Sequence, residues 1–316
     1  MKKLLTTVVM GATFLLASCG TKSTNVTPTT QENSVKQVQL TDGSETVEVK
    51  SNPKKIVTFD LGSADTLRAI GQEEAIAGMP TKPLPTYIKD LGEKVQNVGS
   101  MKEPDIEAIA AMQPDLIIAS ARTKDFIPQL KEIAPTVIFN VDSKDYWGSV
   151  QKNVKSLASL FNEEAQQKAS DQVKELQSVI DIIASQNEKH SEKSLAIMLN
   201  EGKMSAFGAQ SRFGFLYQDL KFRPTDAKIE DSRHGQEISF EGVSELNPDV
   251  LFVLNRTLAI GGDNSKADAL MKNELIQATN AVKNNKVIDL DNKIFGMTAG
   301  FDYSDGLNFL YDTFYK

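Results

Sequence analysis

Three arginines occupy positions from which they could bind an anion together. Arg122 and Arg256 each follow a short apolar run typical of a buried strand, and Arg212 lies in a loop after the predicted strand 195–199. An arginine keeps its charge at any working pH and offers a planar fork of hydrogen-bond donors. Because ligands of open α/β sheets bind beyond the carboxyl ends of the strands, we expect the three guanidinium groups to line one cleft. Each arginine considered alone could equally form a surface ion pair.

A histidine could add a metal ligand to this cleft. His234 lies in a polar loop beside Gly235, where an imidazole is accessible and can coordinate a metal or accept a hydrogen bond. It could equally be a solvated loop residue. His190, the other histidine, is expected on the surface at a helix end. Two histidines are too few for a site that needs three imidazoles from one chain.

The composition argues against several classes of protein. The chain of 316 residues is 40% hydrophobic, too apolar for a disordered chain, and its one cysteine cannot form an internal disulfide. A net charge of −7 argues against a nucleic-acid partner, because phosphate contacts need a basic face. The sequence contains no P-loop, GxGxxG or GxSxG pattern, which makes a nucleotide enzyme or a serine hydrolase of the nucleophile-elbow type unexpected.

An internal repeat positions two of the arginines. Residues 103–122 read EPDIEAIAAMQPDLIIASAR and residues 237–256 read EISFEGVSELNPDVLFVLNR, at a constant offset of 134 (237 − 103). Each copy predicts a helix, a Pro-Asp break, a buried strand and an arginine after the strand. Short strands alternate with helical patterns along the chain, so the repeat predicts an α/β fold of two similar lobes with mostly parallel sheets. A Pro-Asp pair before a strand is also common in α/β proteins that contain no repeat.

The N-terminus predicts export and a lipid anchor. Lysines precede an apolar run of about thirteen residues, which is too short to span a membrane and is typical of a secretion signal. The run leads into Leu16-Ala17-Ser18-Cys19, which resembles the lipobox of bacterial lipoproteins. The alternative is a chance cysteine beside an ordinary signal peptide. The polar, threonine-rich residues that follow predict a flexible tether to about Gln39 and then a hairpin over 38–49.

A helical segment joins the two lobes. Over 146–190 apolar residues recur at helical spacing, and proline and glycine are absent after Gly148. This pattern predicts one long helix that crosses the back of both lobes, or two shorter helices with a bend near Asn162. The predicted organisation is a signal peptide (1–18), a lipidated cysteine and tether (19–50), an N-terminal lobe (51–148), a linking helix (149–190) and a C-terminal lobe (191–316).

The order and spacing of several short motifs resemble a known family. From about Asn52 to the C-terminus the chain resembles the siderophore-binding lipoproteins of bacterial ABC importers, in particular those for ferric catecholates and petrobactin-like (enterochelin-like) ligands. The resemblance implies the helical-backbone class III periplasmic-binding-protein fold, with two α/β lobes, one long bridging helix, a shallow cleft and little hinge motion. The motifs that carry it lie at 52–57, 98–105, 116–122, 205–208, 211–214, 234–235 and 247–249.

The resemblance also implies roles for single residues. In that family arginines at the places of Arg122, Arg212 and Arg256 bind the negatively charged ferric complex. A histidine at the place of His234 can complete the iron coordination when the chelator supplies only four oxygens. The family often pairs that histidine with a tyrosine, whose place falls here on Gly296, so Tyr303 is the candidate replacement or else a packing residue.

Further residues extend this hypothesis. Trp147 and Phe213 could form aromatic walls of the cleft, although each could equally be core. Glu107 and Glu241 occupy matching helix positions, and the resemblance implies that such a pair docks onto a permease dimer. They could equally be ordinary surface carboxylates.

The predicted function is a monomeric binding protein with no intrinsic cofactor. It would be held by Cys19 at the outer face of the cytoplasmic membrane of a Gram-positive-type cell, and would carry Fe(III)-siderophore as its transported ligand. The alternatives are haem or cobalamin as cargo in the same transporter class, or, less favoured, a siderophore-modifying esterase, for which no nucleophile–base pair surrounds either histidine.

Overall fold

The computed structural model describes most of the chain after the predicted tether. Cys19, His234 and Gly296 lie outside the described residues, as does the predicted signal segment 1–18. Among the helices that are described, none combines the length and the apolar character needed to cross a membrane. The described residues are 35–39, 46–82, 84, 88–200, 202–230, 232, 235–259, 268, 271–290 and 303–316.

A hairpin precedes the first lobe. β1 (Val35–Gln39) pairs antiparallel with β2 (Thr46–Lys50). This confirms the predicted hairpin, which begins three residues earlier than expected (Val35 instead of Val38). Val49 is fully buried in the core of the N-terminal lobe. The segment 19–50, predicted as tether, therefore contains two strands, and the second of them packs on the folded domain.

The N-terminal lobe is built on a five-stranded parallel sheet in the order β5-β4-β3-β6-β7. The strand β6 is buried along its whole length and is a continuous apolar run, as expected for an inner strand of a parallel sheet, whereas the edge strand β5 is exposed. The strands are β3 (Ile56–Thr58), β4 (Ile76–Met79), β5 (Gln96–Asn97), β6 (Leu116–Ala119) and β7 (Thr136–Ile138). The helices are α1 (Leu61–Ala69), α2 (Lys89–Lys94), α3 (Ile106–Met112) and α4 (Ile127–Ile133), with 3₁₀ turns at Glu73–Ala75 and Lys124–Phe126.

The linking segment contains two helices, α5 (Tyr146–Ala158) and the long helix α6 (Glu163–Asn187). A helix that is continuous over 149–190 is therefore not formed, and the chain bends near Asn162, as in the alternative. The chain turns because the Asn162 side chain accepts a hydrogen bond from the Ala165 N–H at 2.9 Å and starts a new helix. At 1.5 Å per residue, α6 is about 37 Å long. Its apolar face shares one core with side chains of both lobes.

The C-terminal lobe contains a mixed sheet in the order β11-β9-β8-β12-β13, with β10 also pairing with β8. β8, β10, β12 and β13 run parallel, whereas β9 and β11 are antiparallel to their neighbours. The strands are β8 (Lys193–Asn200), β9 (Lys203–Phe207), β10 (Arg223–Pro224), β11 (Gln236–Glu237), β12 (Val250–Asn255) and β13 (Val287–Asp289). The helices are α7 (Gly214–Gln218), α8 (Phe240–Leu246), α9 (Arg256–Ala259), α10 (Glu274–Gln277), α11 (Asn280–Lys283) and α12 (Tyr303–Tyr315).

The structure confirms the internal repeat. α3 and α8 begin at Ile106 and Phe240, and β6 and β12 begin at Leu116 and Val250, so both pairs keep the offset of 134 (240 − 106 and 250 − 116). The caps repeat as well. Asp105 and Ser239 cap the two helices with their side chains, and Gln113 and Asn247 end them in the left-handed conformation, with φ of 48° and 40°.

The Pro-Asp pair of each repeat fastens the neighbouring strand. The Asp115 carboxylate accepts hydrogen bonds from the backbone N–H groups of Lys54 and Lys55 at 2.8 and 3.0 Å, just before β3. The Asp249 carboxylate accepts one from the Lys193 N–H at 2.9 Å, at the start of β8. The Lys193 N–H is the largest cause of the lowered pKa of Asp249. Each carboxylate therefore anchors the amino end of the central strand of its lobe.

The lobes meet where the loop 139–145 approaches the segment 208–219. The Ser143 hydroxyl donates to the Gln210 carbonyl at 3.1 Å, and the Gln218 amide donates to the Ser143 carbonyl at 3.0 Å. The backbone N–H of Trp147 donates to the Asp219 carboxylate. Burial, followed by the charge of Asp145, raises the pKa of Asp219 to about 6. The junction thus contains a carboxylate that is costly to keep charged.

The Asp249 anchor should contribute measurably to stability. We expect Asp249→Ala to lower the free energy of unfolding by about 1.5–3 kcal/mol at pH 7, the range for hydrogen bonds to charged groups. Because the pKa of Asp249 is lowered in the folded chain, its charged carboxylate stabilises the fold above the ordinary aspartate pKa of about 4. This stabilisation is lost as the pH falls through the folded pKa, so the difference in stability between wild type and variant should shrink at pH 3. Urea unfolding at both pH values measures this. Glu132→Ala, at an exposed carboxylate on α4, is the control, and equal effects of the two variants would contradict the anchor.

Replacing Asp219 should have the opposite pH dependence. A raised folded pKa means that the folded chain binds more protons between about pH 4 and pH 6, so this group costs stability once the pH exceeds about 6. Asp219→Asn removes the charge and keeps an oxygen for the Trp147 N–H. We expect the variant to be more stable than wild type at pH 7.5 and to lose that advantage at pH 4, as measured by urea unfolding. Asp125→Asn, at an exposed carboxylate, is the control; a destabilised Asp219→Asn at pH 7.5 would refute the prediction.

Candidate functional site

Arg122 lies at the carboxyl end of β6, as predicted. It follows Ser120 in a tight turn, where the Arg122 N–H donates to the Ser120 hydroxyl at 3.2 Å. Thr123 is fully buried and closes the turn, since its hydroxyl donates to the Ser120 carbonyl at 3.0 Å. Arg122 itself is half-buried. The turn therefore fixes the backbone from which the arginine side chain projects.

A carboxylate that the sequence analysis did not single out stands beside Arg122. Asp60 follows β3, which pairs with β6, and it caps α1 by accepting hydrogen bonds from the Ser63 N–H and hydroxyl at 2.9 and 2.6 Å. Burial raises the pKa of Asp60, although the Ser63 hydrogen bonds and the charge of Arg122 oppose this. An aspartate directly after a strand and three residues before a serine was the available signal. Asp60 places a negative group next to Arg122 within the N-terminal lobe.

Arg212 lies on a loop braced by its own backbone and by an aromatic pair. The Ser211 hydroxyl donates to the Gly208 carbonyl at 2.6 Å, and the Arg212 guanidinium carbon is 5.8 Å from the ring centroid of Phe213. The ring of Phe213 meets that of Phe207 edge-on, with centroids 4.9 Å apart. Phe213 is only 1% exposed. Its predicted role as a cleft wall is therefore wrong for this structure, because the ring packs in the core beneath Arg212.

The loop that carries Arg212 does not follow the strand from which it was expected to emerge. Ser205, Ala206 and Phe207, predicted as loop, form the end of β9, which returns antiparallel to β8. Phe207 lies opposite Ala196, in the middle of β8. The loop instead approaches the N-terminal lobe, through the bond between Ser143 and Gln210. Arg212 is thus held next to the loop that leaves β7, the strand beside β6.

The chain adjacent to His234 reaches the same aromatic pair. His234 lies outside the described residues, but Gly235 has a φ of +76°, and a Cβ there would be 2.8 Å from the Phe207 ring. A side chain at this position would therefore clash with the ring. Gln236 then pairs with Ala206 in the sheet. Gly235 and Arg212 consequently abut the two rings of one aromatic pair.

Arg256 lies further along the C-terminal sheet than the point where the Arg212 loop begins. It is the first residue of α9 and directly follows β12, so its predicted place at a strand end is correct. Asn255 lies opposite Leu199, whereas the Arg212 loop leaves β9 opposite Ala196. At about 3.3 Å per residue these levels differ by about 10 Å along β8. The described contacts link the Arg212 loop to the N-terminal lobe, and the strand register places Arg256 at the carboxyl end of the C-terminal sheet.

Trp147 packs between the two linking helices. It is 5% exposed, and its indole N–H donates to the Gln177 side chain at 2.5 Å, between α5 and α6. It borders a surface groove of about 380 Å³ that α6 forms with Gln218 and Asp219. The prediction that Trp147 forms a wall of the arginine cleft is therefore wrong for this structure, because the ring is fixed between the linking helices.

The two candidate docking carboxylates are exposed and equivalent. Glu107 and Glu241 lie in the first turns of α3 and α8, each two residues after a capping side chain. The pKa of Glu241 is lowered, chiefly by its own backbone N–H and then by the Ser239 hydroxyl. The repeat thus presents one negative group from each lobe at the same point of its architecture.

The remaining candidates concern iron directly. Tyr303 is the first residue of α12, and its side chain is outside what the structure describes. Within the described part of the chain, no group of three or more His, Cys, Asp or Glu side chains is arranged to hold a metal ion.

Known proteins share both sequence and fold with this chain. The petrobactin-binding protein YclQ of Bacillus subtilis is 37% identical over 289 residues, which cover 90% of each chain. Its crystal structure superposes with a TM-score of 0.85 over 90% of this chain and 99% of that one, at 35% identity. The ferric-anguibactin-binding protein FatB of Vibrio anguillarum is 30% identical over 79% of each chain.

A third relative is more similar in sequence. The crystal structure of the iron uptake ABC transporter substrate-binding protein PiuA from Streptococcus pneumoniae is 54% identical, with a TM-score of 0.84, and covers 87% of this chain and 96% of that one. Like the other two relatives, it is named as a binding protein. The profile of the periplasmic binding protein family matches residues 56–294. With this match and the relatives above, the chain belongs to the periplasmic binding protein family.

Proposed function

We propose that this protein captures a ferric siderophore of the catecholate type and delivers it to an ABC permease. The observation that supports the proposal is the contact between Ser143, in the loop after β7, and Gln210 of the Arg212 loop, with Arg122 in the turn that follows the neighbouring strand β6. The relatives that share this fold are named for binding siderophores. A binding protein needs to hold its cargo reversibly, with no bond made or broken in the ligand.

The chemistry of the arginines suits such a cargo. A tris-catecholate ferric complex is a large trianion with aromatic faces. Arginines form strong charge-assisted hydrogen bonds with its oxygens and can stack on its rings. In a chain with a net charge of −7, a local group of arginines is what allows an anion to bind. Arg122, Arg212 and Arg256 are the proposed anion-binding residues.

Direct ligation of iron is a second part of the proposal. Where the chelator supplies only four oxygens, His234 and Tyr303 would fill the remaining positions, since a phenolate oxygen is a hard donor suited to Fe(III). Gly235 supports the placement of His234, because it sits against the aromatic pair that braces Arg212. With a six-coordinate chelator neither residue is needed, and the chelator itself selects the metal.

The protein would work at the outer face of the cytoplasmic membrane. We propose that Cys19 carries two acyl chains, because one chain anchors only marginally and two anchor stably. The tether would let the folded domain reach the permease as a monomer. A polar spacer behind the lipid suits a Gram-positive-type cell.

The paired glutamates suit a two-fold partner. Glu107 and Glu241 are exposed on equivalent helices of two similar lobes. A permease dimer presents each of its surfaces twice, so one carboxylate from each lobe could meet the same basic pocket on each subunit.

Two other functions remain as outcomes of the binding experiments. Haem as cargo would give a Soret shift, which a ferric siderophore does not give, and cobalamin would be recovered as a corrinoid. An esterase acting on the siderophore would return cleaved ligand. Recovery of intact ferric siderophore after incubation supports a binding protein.

Removing the arginines should weaken binding of a ferric catecholate. We expect each of Arg122→Gln, Arg212→Gln and Arg256→Gln to raise Kd for ferric enterochelin by about 10- to 100-fold, the range for one lost charged hydrogen bond. Isothermal titration calorimetry measures Kd, with ferric petrobactin as a second ligand.

A matched arginine serves as the control for this series. Arg223 is exposed on β10, at the amino end of β8 and thus at the opposite end of the sheet from Arg256. Arg223→Gln should keep the wild-type Kd. A triple variant that binds ferric enterochelin as tightly as wild type would sink the assignment of the site.

Reversing the glutamate charges should impair delivery and leave capture intact. We expect Glu107→Lys with Glu241→Lys to keep the wild-type Kd and to reduce cellular uptake of radiolabelled ferric siderophore by about tenfold or more, since like charges across an interface are repulsive. Glu132→Lys, at an exposed position on α4, is the control. Normal uptake by the double variant would remove these residues from the docking surface.

A further inference from the structure

One side-chain amide joins the two lobes at the Arg212 loop. The Gln218 Nε2 donates to the Ser143 carbonyl of the N-terminal lobe at 3.0 Å and also to the Ala209 carbonyl of the C-terminal lobe. An amide nitrogen has two hydrogens, and both are used. Because the two acceptors belong to different lobes, this single group fixes their separation.

Neighbouring contacts converge on the same point. The Ser143 hydroxyl donates to the Gln210 carbonyl at 3.1 Å, so Ser143 contacts the loop in both directions. A Cβ on Gly214 would lie 2.4 Å from the Ala209 carbonyl oxygen, 2.9 Å from the Gln218 Nε2 and 3.1 Å from the Ser143 carbonyl oxygen. The close approach therefore requires glycine at this position. Arg212 lies between these contact points, two residues after Gln210 and two before Gly214.

We propose that Gln218 is a positioning residue that holds the Arg212 loop against the N-terminal lobe, and so sets the distance between the anion-binding arginines of the two lobes. The inference rests on the proposed function, because it assigns Gln218 a role in presenting Arg212 to the cargo. Gln218 itself contacts two backbone carbonyls and acts only through the loop.

The physical reason is preorganisation. A loop that is already fixed loses little conformational entropy when the ligand arrives, whereas a loose loop has to be ordered at the expense of affinity. Without the Gln218 amide, two partly buried carbonyls lose this donor, and the bond from the Ser143 hydroxyl to the Gln210 carbonyl is left to hold the loop against the N-terminal lobe. The backbone that carries Arg212 is then less firmly fixed relative to that lobe.

The first test replaces the amide with a side chain of similar length that has no donor. Gln218→Met should raise Kd for ferric enterochelin by about tenfold, equivalent to about 1.4 kcal/mol. Gln172→Met is the matched control, because the Gln172 amide donates to the Ala69 carbonyl at 3.1 Å, between α6 and α1, far from the Arg212 loop in sequence. The control should lose comparable stability and keep the wild-type Kd. Equal Kd values for Gln218→Met and wild type would overturn the inference.

A double-mutant cycle separates positioning from a general loss of structure. If Gln218 acts through Arg212, then Gln218→Met should have little further effect on Kd in the Arg212→Gln background. Additive effects would overturn the inference. If Arg212→Gln alone leaves Kd unchanged, then the proposed function has failed at this residue. If Gln218→Met keeps the wild-type Kd while Arg212→Gln raises Kd, only the positioning role is rejected.

Hydrogen exchange and a second variant complete the test. In the ligand-free Gln218→Met protein, amide exchange should accelerate in 208–214 and 139–145 and stay at the wild-type rate in the core strands β6 and β12. Uniform acceleration would indicate a structural role alone. Gly214→Ala should raise Kd in the same direction, because its methyl group forces the three close neighbours apart. If Gln218→Met fails to fold, Gly214→Ala decides the outcome by the same measurements.

Discussion

One hydrophobic cluster that contains side chains of both lobes constrains how the lobes are arranged. Buried faces of α5 and α6 pack with side chains from the N-terminal sheet and from the C-terminal sheet in one cluster. Close-packed interiors do not deform gradually, so the two lobes cannot slide over each other without breaking these contacts. The loops at the junction are therefore held at a fixed distance from each other. A site formed by loops with a fixed spacing suits a rigid ligand, since little ordering remains for the binding step.

Charged side chains add to the constraints that packing sets on the candidate site. The chain is negative overall, and its candidate anion site depends on a few arginines placed at loop positions. Asp60 lies beside Arg122, where burial works against its charge. The carboxylate would orient the guanidinium and also reduce its attraction for an anion. Such a balance favours release as well as capture, which is appropriate for a protein that has to give up its cargo.

The sequence predicted the parts of the fold that depend on local pattern. The repeat placed α3, α8, β6 and β12 correctly because helix caps, Pro-Asp breaks and buried strands leave periodic signals. Prediction from the sequence failed where the structure depends on tertiary contacts. Phe213 and Trp147 were assigned to a cleft, yet an aromatic residue beside an arginine or at a helix start looks the same in sequence whether it faces ligand or core. β9 was missed because its short run follows a two-residue turn at Gly202, where φ is 89°. The contact of Gln218 with Ser143 links residues 75 apart in sequence and leaves no local pattern.

The only tryptophan of the chain gives this architecture an optical property. The indole of Trp147 is fixed by Gln177 of α6, and its backbone N–H meets Asp219 from the other lobe. Its excited state senses the polarity and the charges at the seam between the lobes. Emission wavelength and lifetime would therefore report on the seam in the purified protein without any attached dye.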